Sequence, residues 1–230
     1  MDGVTCTHTP STVPHEVRRV TDVFMQYGIP LGLAPKAPAR KPSLAVAPDE
    51  AAAAETIAGA GSHSTCGIHP GGKWSVKRWP TEKFVELITL LEREHGVHAV
   101  VFTGPRRTGR DRARARARVR EHDLPRPASD SDLAAVMSRL TRWSRATAAS
   151  CTWRPPWGRR RSGIFGSSEP AVWFPYQGAG PYRAAYIEVE CRPCHRHECP
   201  LGHTRCLNEL AAATVVGYVR DVMLRAKEAR

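Results

Sequence analysis

Two stretches of this sequence combine residue types at spacings that could do chemistry. The first is Cys66-Gly-Ile-His-Pro-Gly-Gly-Lys73, followed at once by Val76-Lys77-Arg78-Trp79-Pro80. A Gly pair behind a strand lets backbone N–H groups come close to an anion, and the start of a following helix adds partial positive charge. Lys73, Lys77 and Arg78 add full charges, and His69 and Gly71 stand at the mouth of the loop. The target would be a phosphate or diphosphate. The plainer alternative is a solvated loop with surface lysines, because a lone Gly-rich loop is a weak signal. The second stretch is Cys191-x2-Cys194-x4-Cys199-x6-Cys206, with His195, His197 and His203 between. Four thiolates could close a tetrahedral zinc site, and the leading C-x2-C pair has the spacing of one. Such a zinc would be structural and would hold a loop. The x4 and x6 gaps are short beside the ~12–20 residues that usually separate two knuckles. Four reduced thiols are therefore the alternative, and an iron–sulfur cluster is the less favoured variant.

A third segment, Gly166-Ser167-Ser168-Glu169-Pro170, reads on its own as a turn.

These residues need elements to position them, and the best formed lie around the first motif. Residues 64–69 read as a short buried strand and 70–78 as a loop. Pro80 suits a first helical turn, Phe84, Leu87, Ile88 and Leu91 recur at helical spacing, and Gly96 stops the helix. Residues 97–103 form the next strand. Strand, loop, helix, strand is the unit of a parallel α/β sheet. Further on, 131–140 reads as a short helix, 163–165 as a strand end and 186–189 as a strand. Asn208 is placed to cap a last helix running to about residue 227. Upstream, 15–29 has helical spacing, 31–48 is a Pro- and Ala-rich linker, and 50–60 is an Ala-rich helix.

The net charge of +12 suggests nucleic acid, but its distribution opposes that reading. Residues 105–161 hold sixteen Arg and five acidic residues, so nearly the whole excess belongs to one stretch and the rest is close to neutral. That stretch lacks interleaved aromatics over 106–126, and no recognition-helix pattern adjoins the Cys cluster. A basic, zinc-containing nucleic-acid-binding protein is thus the alternative reading, with nucleic acid disfavoured as a partner. No apolar run reaches 18 residues, and no apolar stretch follows a basic one at the start. The expected location is the cytoplasm, or the periphery of the inner membrane.

HPGGKWSVKRWPTEKFVELI (69–88) resembles the phosphate-side loop and helix of glycosyltransferase family 9, the ADP-heptose:lipopolysaccharide heptosyltransferases. GIFGSSEPAVWFPYQ (163–177) resembles that family's F-G-x-T-D-P loop, with Ser168 and Glu169 where Thr and Asp are usual. CRPCHRHECPLGHTRCLNEL (191–210) resembles a Cys-rich stretch near the end of many members, and 15–31 resembles the helix between the family's two domains. The resemblance implies an α/β fold with a Rossmann-like parallel sheet, the C-terminal, nucleotide-sugar-binding half of a two-domain GT-B transferase. It implies a remnant of the interdomain helix and linker over 1–62 and the binding domain over 63–230. It implies transfer of a heptose from a nucleotide sugar such as ADP-heptose to a lipopolysaccharide core or lipid A acceptor, with no cofactor needed. His69, Gly71, Lys73, Lys77 and Arg78 would serve the phosphates. Gly166, Ser168 and Glu169 would serve the sugar or ribose. The catalytic base of the family lies in its first domain, so no catalytic residue is assigned, and the chain is expected to be truncated and inactive alone.

Residues 141–162 (TRWSRATAASCTWRPPWGRRRS) follow no helix or strand pattern and stand where the family has a D-[ST]-G-x-M-H-L segment. A GC-rich coding sequence from Arg139 onward, read in a shifted frame, can yield A-D-A-L-V-T-G-D-C-G-I-M-H-L-A-A-A-V. A frameshifted, poorly ordered segment over 105–162 is therefore expected. The alternatives are a genuine basic insertion and a degenerate product with no function of its own.

Overall fold

The computed structural model describes residues 47–49, 52, 65–71, 74–102, 135–137, 142–146, 160–173 and 182–224. The expected helix at 15–29, nearly all of the linker and the Arg-rich run at 106–126 lie outside them, as do Gly72 and Lys73. Pro48, Asp49 and Ala52 are helical, and the rest of the expected Ala-rich helix at 50–60 lies outside the described residues.

Among the described residues, five strands form one sheet: β1 (Thr65–His69), β2 (His98–Val101), β3 (Arg142–Ala146), β4 (Arg160–Ile164) and β5 (Tyr182–Ala185). Their order is β2-β1-β3-β4-β5, and every neighbouring pair is parallel. This is a doubly wound order. The chain steps from β1 to β2 on one side and then resumes at β3 on the other. Ligands of such sheets bind beyond the carboxyl ends of the strands, at the point where the order reverses.

Helix α1 (Thr81–His95) fills the crossover from β1 to β2 and buries Phe84, Leu87, Ile88 and Leu91, as their spacing predicts. Its end is a left-handed glycine cap. Gly96 takes the left-handed conformation, φ 58°, its N–H donates to Glu92 O at 3.2 Å, and Val97 N–H donates to Leu91 O at 3.1 Å. Pro80 is the residue before the first turn and not its first member. Its carbonyl accepts from Lys83 and Phe84 N–H at 3.1 and 3.3 Å.

The last part of the chain differs from the sequence reading. Asn208 does not cap the final helix. It ends a short helix, α3 (Arg205–Asn208), its Nδ2 donates to His203 O and Thr204 Oγ1, and the final helix begins only at Ala212. The final helix, α4, runs Ala212–Leu224 and packs on α1, β4 and β5. Leu210, Val215, Val219 and Val222 are buried. The strand expected at 186–189 lies earlier, at β5. Residues 182–185 are those that reach β4, and Ile187 and Val189 instead pack at the edge of the core. The reading of 141–162 as patternless is corrected at β3 and at the first residues of β4. A central parallel strand is held by hydrogen bonds from both neighbours, which does not require an apolar pattern of its own.

One contact joins the two ends of this unit. Trp79, 2% exposed, donates from Nε1 to Leu210 O at 3.1 Å, and Lys83 Nζ donates to the same oxygen at 2.8 Å. The indole meets Phe84 edge to face at 4.9 Å. Trp79 is therefore a packing residue. In urea unfolding, Trp79→Phe should cost about 1 kcal/mol, because the carbonyl keeps Lys83 as a partner. Trp79→Ala should cost about 3–5 kcal/mol through the cavity it leaves. Equal losses for the two variants would contradict this account.

Candidate functional site

Parallel strands place the loops after β1 and β4 on the same edge. At the end of β1, His69 points its Nδ1 at Phe102 O, 3.2 Å away. A carbonyl only accepts, so Nδ1 carries the hydrogen. A Cβ at Gly71 would stand 2.7 Å from His69 Nε2, which explains why a residue without a side chain occupies that position. Past the gap at 72–73, Ser75–Lys77 forms a single 3-10 turn with Val76 buried beneath it. Arg78 is exposed and Lys77 half-buried. The Lys77 ammonium lies 4.7 Å from the Trp74 ring centroid and 5.9 Å from that of Trp173. Burial lowers its pKa from the ordinary lysine value.

At the end of β4, Phe165 N–H still donates to Ala185 O at 2.9 Å, and the backbone then bends through Gly166, Ser167 and Ser168, all buried. Glu169 Oε1 accepts from Ala171 N–H at 3.2 Å, and its carbonyl accepts from Val172 and Trp173. Glu169 thereby starts the short helix α2 (Pro170–Trp173). Trp173 Nε1 is buried with no hydrogen-bond partner among the described residues.

The Cys-rich segment after β5 brings these loops together. His197 stacks on Trp74, with ring centroids 3.9 Å apart and planes 4° from parallel. His195 N–H donates to Ser167 O at 2.8 Å, and Ser167 Oγ donates to Arg196 O at 3.5 Å. Cys199 has its thiol pKa lowered, first by the N–H of Thr204 and then by those of Leu201, His203 and Gly202. Burial pushes the Cys206 thiol up, and the charges of Cys191, Cys194 and Cys199 push it further. The four cysteines are free thiols. Among the described residues, no group of three or more His, Cys, Asp or Glu side chains stands at metal-binding geometry.

The sequence-predicted residues at 69, 71, 77 and 78 thus share one edge with those at 166, 168 and 169, and Lys73 lies outside the described residues. Sequence reasoning did not single out Trp74, Trp173 or Arg192, and it named His197 only as a histidine between the cysteines. Each acts through a partner distant in the chain, for which spacing gives no signal.

The family model for glycosyltransferase family 9 (heptosyltransferase) matches residues 4–141, more than half of the chain. This chain belongs to glycosyltransferase family 9. No curated protein sequence matches it. Among solved structures, this family 9 chain resembles the family 9 glycosyl transferase of Veillonella parvula, with TM-score 0.66 and 19% identity over 94% of this chain and 62% of that one. The E. coli ADP-heptose lipopolysaccharide heptosyltransferase II gives TM-score 0.60 and 16% identity, covering 81% and 54%. The dodecameric iron-containing heptosyltransferase TibC of E. coli, in complex with ADP-D-β-D-heptose, gives 0.57 and 12%, covering 89% and 53%. At these identities the likeness shows the fold, an α/β unit of a GT-B-type glycosyltransferase. The family 9 chain spans less than two thirds of the length of each.

Gly166 is the most sterically constrained glycine of the site. A Cβ there would lie 2.7 Å from Leu207 Cγ, a buried side chain of α3. Gly166→Ala should lower stability by about 1–3 kcal/mol, the range for overpacking. Gly217→Ala, in α4, meets nothing within 4 Å and should raise it by roughly 0.5–1 kcal/mol. Chemical denaturation of both variants checks the contrast, and similar shifts in the two would refute it.

Proposed function

We propose that this chain binds the nucleotide sugar of a heptosyl transfer reaction at the carboxyl edge of its sheet. The observation that carries the reading is the half-buried Lys77 ammonium, set between Trp74 and Trp173 where the β1 and β4 loops converge. Lys77, with Arg78, Lys73, His69 and the narrow backbone at Gly71, serves the diphosphate. Gly166, Ser168 and Glu169 serve the ribose or sugar. The donor is an ADP-heptose-type nucleotide sugar, and the acceptor is a lipopolysaccharide core or lipid A. Transfer itself needs no cofactor. No described helix is long and apolar enough to cross a membrane. A cytoplasmic site, or one at the inner membrane surface, suits such an acceptor.

The Cys191, Cys194, Cys199 and Cys206 quartet fits a structural metal, zinc or iron, in its donor chemistry. Cys199 receives backbone N–H groups that favour its thiolate, and the other thiols lie within electrostatic reach of Cys206. A metal there would hold the segment and take no part in transfer.

Binding of ADP to the purified chain, by isothermal titration calorimetry, tests the site. Lys77→Ala should weaken it about 10- to 100-fold, the worth of a charge-assisted hydrogen bond. Lysine attracts an anion only while protonated, and its pKa is lowered here. ADP affinity should therefore begin to fall, as pH rises, at a lower pH than an ordinary lysine would give. Undiminished binding by Lys77→Ala would rule out the assignment. Metal analysis of aerobically purified protein tests the quartet, and less than about a tenth of an equivalent of zinc or iron would exclude a metal.

A further inference from the structure

Arg192 is a charged residue inside the fold that the nucleotide-sugar reading leaves unused. Its side chain is 2% exposed. Nε donates to Gly166 O at 2.9 Å, and one terminal nitrogen donates to Ser168 O at 3.3 Å. The guanidinium lies 4.1 Å from the centroid of the Tyr186 ring. The Glu188 carboxylate stands 3.6 Å away but is 77% exposed, so solvent screens that pair. A guanidinium cannot shed its proton, so one buried here must have its donors met, and backbone carbonyls meet them.

The remaining carbonyl of this stretch, Ser167 O, accepts from His195 N–H at 2.8 Å. His195 sits at φ 54°, a left-handed conformation that costs a non-glycine residue about 1 kcal/mol or more. Three consecutive carbonyls, 166 through 168, are thus all held by one segment. An extended strand would alternate them. These peptides are trans and planar, so fixing each C=O turns the next residue's N–H the opposite way. The N–H groups of Ser167, Ser168 and Glu169 are therefore set facing away from the Cys-rich segment. Ser167 and Ser168 are buried, and none of the three N–H groups donates to another described residue. Buried N–H groups are nearly always paired, and a run of them turned one way is an anion or oxygen site.

We propose that Arg192 is a positioning residue. With the His195 amide, it holds the 166–168 carbonyls so that the N–H groups of Ser167, Ser168 and Glu169 donate to oxygens of the bound nucleotide. This deepens the proposed function and rests on it for the identity of the ligand.

The test uses the full chain, Arg192→Met and Arg192→Lys, with ADP as the probe. Calorimetry should show ADP binding weakened at least about tenfold in Arg192→Met, with Arg192→Lys between it and the unsubstituted chain, since Lys keeps a charge and one donor direction. Hydrogen exchange, without ligand, should quicken in peptides covering 164–173 of Arg192→Met and stay unchanged across β1 and α1. Unchanged β1 and α1 exchange also shows that the variant is folded, and Arg192→Lys carries the comparison if Arg192→Met is not. Unaltered exchange at 164–173 would overturn the clamp. Quickened exchange with unaltered ADP affinity would overturn the positioning role and leave Arg192 a structural residue. If the unsubstituted chain binds no ADP, the nucleotide reading fails and the ligand half of this proposal falls with it. The exchange pattern then still decides whether Arg192 holds the loop.

Discussion

All five strands run parallel, so the chain must travel back beneath or above the sheet before each new strand begins. Every strand then ends on the same edge, and whatever follows a strand end is delivered there. The loop after β1 and the bend after β4 meet on that edge although most of the described sheet separates them in sequence. The covering helices set the other half of the constraint. α4 packs on α1 and on β4 and β5, so the element that ends the described chain presses on the strand that carries one loop and on the helix into which the other leads. Gly166 lies against Leu207 just upstream of that helix, which makes the β4 bend sensitive to where α3 sits.

The β1–α1–β2 unit was legible because several independent signals agree within one short stretch. Apolar residues recur at helical spacing from Phe84 to Leu91, Gly96 closes the helix, and the flanking strands are short apolar runs. The carboxyl-edge loops were legible as loops because each follows a short strand and carries Gly, Ser or Pro. β3 was not. It places Arg142 and Arg145 in a strand paired on both sides, whereas parallel strands in such positions usually read as apolar runs. Its existence depends on its neighbours, which no local pattern can report. β5 was displaced in the reading because Tyr186, Ile187 and Val189 look like a strand, yet they pack at the margin of the core after the ladder with β4 has ended. Asn208 looked like a cap because of its residue type alone. The amide is engaged backward, toward His203 and Thr204.

The Cys-rich segment shows a similar limit. Its spacing announced thiol or metal chemistry. Its contacts show a second task, visible only in three dimensions: Arg192 reaches back 26 residues to Gly166, and His197 covers Trp74 in the loop after β1. A segment that reads as a metal knuckle is also the wall against which the β1 and β4 loops lean. Arg192 is surrounded by carbonyls and an aromatic face, an environment that suits a delocalised cation better than a compact ammonium.

Leu210 O accepts from both Trp79 and Lys83, across 131 and 127 positions of sequence. With both of its lone-pair directions engaged, that carbonyl stands outside any helix, and α3 and α4 stay separate. The consequence reaches into synthesis. The first βαβ unit emerges from the ribosome long before residue 210, so the indole behind the β1 loop must wait, unpaired, until that residue has been made. Contacts of such sequence separation form late and slowly. The β1 loop thus acquires this support only after the rest of its βαβ unit has been made, and until then the nascent chain carries a Trp-bearing apolar face open to any other partner.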